Sequence, residues 1–138
     1  LTSITYYGPY QRYTNHTPSL LCPNQNDLFT VSNTKGNQAL TYPIGLITSD
    51  ELAYAGMSYG YLNRLVYTYS SQTLWISLSP INFNSSVSAA RVWFVSSAGY
   101  LVNNNVTSSY GVRPVINLTS ETLISGGTGT KNDPFTIQ

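Results

Sequence analysis

Near residue 70 the apolar positions of this chain change from a spacing of three to four residues to a spacing of two. The sequence therefore predicts a helical element before that point and a sheet after it. In "TYPIGLITSDELAYAGMSYG" Thr48 stands three residues before Glu51, the pattern in which a hydroxyl and a carboxylate each satisfy the other's backbone amide at a helix start. Leu52, Ala55 and Met57 follow on one side, which predicts a short helix over 49–57, with Gly60 as the place where the chain turns away.

From Trp75 onward the alternation is that of strands. "LWISLSP" puts Ile76 and Leu78 on one face and Trp75, Ser77 and Ser79 on the other, a half-buried strand that Pro80 is expected to end. "ARVWFV", with Trp93 near its centre, is apolar on both faces and belongs in the middle of a sheet. "SSAG" before "YLV" then makes a hairpin. "GVRPVINL" reads as a last long strand with Ile116 and Leu118 on one face, and "SGGTGTKNDPFTI" as a glycine-rich loop with a short closing strand. The expected core is a largely antiparallel sheet from 75–79, 91–95, 99–102 and 112–118, with the helix packed on it. Residues 1–40, rich in Tyr, Thr, Asn and Pro, are expected to be irregular with short edge strands. The fold class is α+β in one domain spanning 1–138, long enough to bury a core without metal or disulfide.

Composition narrows the function. Charged residues are 8% of the chain against a usual ~25%, so its polar surface is built from Ser, Thr, Asn and Tyr. A net charge of +1 and the lack of a basic stripe argue against nucleic acid as a partner. No apolar run approaches the ~18 residues of a membrane helix, so no direct membrane insertion of this segment is expected. The start "LTSITYYGPY" has no leader-like pattern, and the chain is read as a mature or trimmed part of a longer exported protein. Its single cysteine, Cys22, forms no internal disulfide and is read as a small buried hydrophobe.

Five carboxylates and one histidine leave little for catalysis. No Asp or Glu occurs between Glu51 and Glu121, a stretch that holds Arg64, Arg91 and Arg113, so a two-carboxylate site on the sheet lacks its acid and base. Asp50 and Glu51 are read as partners of free N–H groups at the helix start. Asp133 and Asn132 in "TKNDP" are turn residues rather than calcium ligands. No metal site and no cofactor is expected, and the chain is read as a non-enzyme. Asn15, Asn84, Asn105 and Asn117 stand in glycosylation sequons, which a chain this rich in Asn, Ser and Thr also yields by chance.

Four segments in order, "TPSLLCPNQNDLFTV", "YPIGLITSDELAYAG", "LWISLSP" and "SYGVRPVINL" leading to "GTGTKNDPFTI", resemble a domain of bacterial surface proteins. That domain is often C-terminal in prepilin-like or other exported chains, and is similar to the C-type-lectin-like fold in its formylglycine-generating-enzyme subtype. The resemblance implies an extracellular or cell-surface location and long irregular loops. It also implies a Gly-aromatic-Arg strand closing the core, here Gly111, Val112 and Arg113. Arg113 is then a structural pin donating to backbone carbonyls or a carboxylate, rather than a ligand contact. The cysteine pair of the oxidising enzymes of that subtype and the calcium loop of sugar lectins are both missing. The fold also serves as a display scaffold. The matching loops, "SPINFNSSVSAA" and "YLVNNNVTSSYG", make Asn82, Asn84, Asn103, Asn104, Asn105 and Tyr110 the expected contacts to a surface glycan or protein. The alternative is a structural subunit that associates with copies of itself in a pilus or other filament through a neutral Tyr-rich surface at Tyr6, Tyr7 and Tyr10.

Overall fold

The structure, a computed structural model, describes residues 3–22, 34, 40–42, 44–57, 61–62, 75–130 and 132–138. Gly60 and most of the segment between Cys22 and Ala39 lie outside the described residues. The elements in chain order are β1 (Ile4–Tyr6), α1 (Gly8–Thr14), β2 (Gly45–Leu46), α2 (Ser49–Tyr54), β3 (Trp75–Asn84), β4 (Ala89–Val95), β5 (Leu101–Asn105), β6 (Pro114–Val115), β7 (Ile124–Gly126) and β8 (Thr136–Ile137). The fold is α+β, with mainly antiparallel sheets and two short helices among the described residues.

Local chemistry sets α2 at both ends. The Thr48 hydroxyl accepts from the Glu51 amide at 3.2 Å and the Glu51 carboxylate accepts from the Thr48 amide at 2.7 Å, the reciprocal cap read from sequence. At the other end Gly56 adopts φ 94, and the Met57 and Gly56 amides return to the carbonyls of Leu52 and Ala53. The helix thus stops at Tyr54, three residues short of the predicted 57. Leu52 and Met57 go into the core, while Ala55 stays exposed. Thr48→Ala is expected to cost about 1 kcal/mol in denaturant unfolding, since it removes the acceptor of one amide and loosens the Glu51 half of the box.

The principal sheet runs β1-β3-β4-β5, all neighbours antiparallel. Its central strands come from the regions predicted around 75–79 and 91–95, and the 96–100 loop joins β4 to β5 as a hairpin. Two expectations are corrected. Pro80 does not end β3, which continues to Asn84. Instead, pairing with β4 slips between Ile76 and Pro80 and again between Pro80 and Asn82, because a proline offers no N–H to the ladder and the strand bulges around it. The region 112–118 is not a long central strand. Only Pro114–Val115 pairs, with β2 in a separate ribbon, while Gly111 bridges Trp75 in parallel and Ile116 and Leu118 are exposed. Pro114 again removes a donor where a central strand needs one.

The buried face of β3 is the one carrying Trp75, Ser77 and Ser79, while Ile76 and Leu78 are half-buried on the other. The serines are inside because α2 docks there. Ser79 Oγ accepts the Ser49 amide at 2.9 Å, meeting one of the helix's unpaired N–H groups, and Ser77 Oγ accepts the Ser79 amide at 3.3 Å. Trp75 lies in register with Val95, which lies in register with Leu101, and these three join Leu52, Met57, Ile81 and Trp93 as the core.

Among the described residues of the first forty, α1 is an element that the sequence reading missed. Gly8 and Pro9, in the stretch expected to be irregular, begin α1, where proline's fixed φ suits the first turn. The helix lays Tyr10 and Tyr13 on the core, with the Tyr13 ring 4.6 Å from Trp93. The closing β7–β8 ribbon matches the expected short end strand. Its turn needs Gly127 at φ 86, where a Cβ would run into the Pro134 carbonyl. Gly127→Ala is expected to raise amide exchange in the β7–β8 ribbon, including at Gln138, about tenfold or more, and to leave the principal sheet's amides unchanged.

Candidate functional site

Residues directly opposite one another in an antiparallel pair share a face, so the register of the principal sheet decides which polar side chains meet. Arg91 on β4 is paired with Asn82 on β3 and with Asn105 on β5, and Asn82 is paired in turn with Tyr6 on β1. One row therefore crosses the whole sheet as Tyr6, Asn82, Arg91 and Asn105. It lies on the face of Trp93, two residues along β4, and Asn103 stands opposite Trp93 in the adjoining row. The helix α1 covers this face at its Trp93 end, and Tyr10 stacks on Tyr6 with ring centroids 4.2 Å apart.

The bulge in β3 creates this row. Pro80 lies opposite Val92, and an unbroken ladder would set Asn82 opposite Ala90, on the outer face. The extra residue, Ile81, turns Asn82 inward to Arg91. Asn82 is 7% exposed, Asn105 is half-buried and Arg91 is exposed.

Of the six residues expected to contact a ligand, the structure puts four on one face and two elsewhere. Asn82, Asn84, Asn103 and Asn105 share the Arg91 face. Asn84 is engaged in the β3–β4 turn, where its Oδ1 accepts the Ser86 amide at 3.0 Å. Asn104 points to the opposite face, and its Oδ1 accepts the Asn105 amide at 2.8 Å. Tyr110 packs on Phe94, also on that opposite face, with centroids 5.3 Å apart, and its hydroxyl donates to the Asn105 carbonyl at 3.4 Å. The expected display loops are thus largely strand: Asn82 and Asn84 belong to β3, and 103–105 to β5. Arg91 was missed as a site residue, although its place in the only acid-free half of the sequence was visible.

The structural residues take these places. Trp93 is in the core, Gly111 bridges Trp75, and the Arg113 guanidinium carbon lies 5.2 Å from the centre of the Trp75 ring. Another guanidinium, that of Arg12, joins distant segments. Its Nε and Nη2 donate to the two carboxylate oxygens of Asp50, each at 2.7 Å, and the Ser19 amide donates to Asp50 Oδ1 at 2.9 Å. The Tyr54 hydroxyl donates to the Pro18 carbonyl, so α2 holds both α1 and the segment that follows it. Burial pushes the Asp50 carboxyl up, but the Arg12 fork and the Ser19 amide more than offset it and hold the group below its ordinary range. Asp50 was expected to serve its own helix start. Glu51 does that, and Asp50 reaches across to Arg12.

A cleft of about 230 Å³ lies beside this brace, lined by Arg12, Tyr13, His16, Pro18, Ala53 and Met57. Cys22, expected to be buried, is half-buried. Among the described residues no three of His, Cys, Asp and Glu gather as metal ligands would, and no helix is long and apolar enough to cross a membrane. Comparison with family models, curated proteins and solved structures returns no match to this chain.

Proposed function

We propose that this chain is a non-enzymatic recognition module with a C-type-lectin-like architecture, acting at a cell surface or outside the cell and contacting a glycan or protein ligand. The observation that carries this reading is the gathering of Asn82, Asn105 and Arg91 into one row on one sheet face, with Asn103 beside it. Amides and a guanidinium on paired strands form a polar surface of fixed spacing, which lowers the ordering cost of binding. The test is a glycan and cell-surface binding screen of the wild-type chain beside Asn105→Ala. Binding that weakens in the variant supports the reading, and binding indifferent to Asn105 and Arg91 removes it.

A second reading, a filament subunit that associates with its own copies, is favoured by one observation. Tyr6 and Tyr7 are each more than 40% exposed beside one another at the sheet edge, where β1 has only three paired residues. Sedimentation velocity across a concentration series separates the two readings. Self-association lost in Tyr7→Ser, with ligand binding absent, would establish the filament.

A further inference from the structure

We propose that the row of Tyr6, Asn82, Arg91 and Asn105 binds the carboxylate of an acidic sugar, with Arg91 as the anion contact. This inference rests on the recognition reading and names its ligand class.

Charge gives the first reason. Arg91 is exposed, and no described carboxylate pairs with it. The ion pair recorded among the described residues is Arg12 with Asp50. No acid occurs in the sequence between Glu51 and Glu121, so the sheet carrying Arg91 supplies no competing carboxylate of its own. A guanidinium in that position holds its fork open for a carboxylate from outside the chain.

Geometry gives the second. Neighbouring strands are ~4.8 Å apart, so Asn82 and Asn105 each stand about one strand spacing from Arg91, and the four-residue row spans about 14 Å. That is the reach of two to three linked pyranose rings. The Asn amides offer both a donor and an acceptor, the combination that sugar hydroxyls need, and no described residue hydrogen-bonds the Asn82 side chain. At the end of the row Tyr6 is 43% exposed and braced by Tyr10, which supplies an aromatic wall for the C–H face of a ring.

An acidic peptide fits less well. An extended peptide would gain most of its affinity by pairing along the β5 edge next to the row. At Asn105 that edge is closed: the Asn104 side chain takes its amide, and the Ser108 amide and Tyr110 hydroxyl take its carbonyl. Phosphate-rich polymers would need several cations together, and the row holds one.

The experiment is an NMR titration of the ¹⁵N-labelled chain with trigalacturonate and with sialyllactose, beside neutral maltotriose and a tetraglutamate peptide. One of the acidic sugars is expected to shift the Arg91 Nε–H and the side-chain amides of Asn82 and Asn105. Arg91→Gln should weaken it about tenfold or more, and Leu118→Ser, exposed outside the principal sheet, should leave it unchanged. Arg91→Gln is checked for an unchanged melting temperature. Should it fold poorly, loss of binding by the wild-type chain at 0.5 M salt serves in its place. Equal affinity of Arg91→Gln, no shift from either acidic sugar, or equal binding of tetraglutamate would each overturn the proposal. If maltotriose or a protein from the screen binds through Asn105 while both acidic sugars do not, the acidic-sugar inference fails and the recognition reading stands.

Discussion

Arg12→Ala is expected to lower the unfolding free energy by about 3 kcal/mol, measured by denaturant titration, although Arg12 is itself partly exposed. The cost comes from its partner. Asp50 is buried, and without the fork its carboxylate is left with backbone amides alone, those of Ser19 and of Asp50 itself. Arg12→Ala with Asp50→Ala together should cost less than the sum of the single changes, because the second removes the charge that the first leaves stranded. The same pair sets the acid side of the stability curve. The Asp50 pKa is lowered on folding, so its contribution is fully present above the ordinary carboxyl value of about 4 and is lost as pH falls below that value through the folded one. Acid unfolding should therefore begin at higher pH in Arg12→Ala than in the wild type, followed by far-UV circular dichroism.

Trp75→Ala is expected to cost about 3–5 kcal/mol, the usual range for emptying a buried aromatic site. The ring is 2% exposed, it lies in the Val95 and Leu101 row, its residue bridges Gly111, and Arg113 lies over it. Its removal opens the junction between the principal sheet and the segment leading to β6, so amide protection at Ile76, which donates to the Gly111 carbonyl, should fall with it. Arg113→Ala then distinguishes two roles for that arginine. A loss of about 1 kcal/mol fits a cation resting on an aromatic face. A loss of about 2–4 kcal/mol fits the pin expected from sequence, whose removal leaves buried acceptors unpaired.

The candidate site was partly legible. The sequence drew attention to the asparagines of two segments, and four of them do share a face. It assigned them to loops because Asn and Ser are turn formers, whereas they occupy strand positions, in β3 between β1 and β4 and in β5 beside β4. Arg91 had no local signature. An arginine in an otherwise apolar strand reads as a solvent-facing position, and only its cross-strand partners give it a chemical context.

What the sequence determined by itself are features whose partners lie within a few residues: the Thr48–Glu51 box, the β4–β5 hairpin and the glycine-rich loop before the closing strand. Each depends on hydrogen bonds or backbone angles that short segments encode. Tertiary structure decided the rest. Ser79 faces inward where its hydroxyl accepts an amide of α2, and Ser77 beside it accepts the Ser79 amide, against the hydrophobic order of the strand. Arg12 found Asp50 across 38 residues, a separation over which no local pattern can specify a partner. The row at Arg91 exists because one bulged residue beside Pro80 shifted the pairing of β3, and a one-residue shift in a structure of period two moves a side chain to the other face.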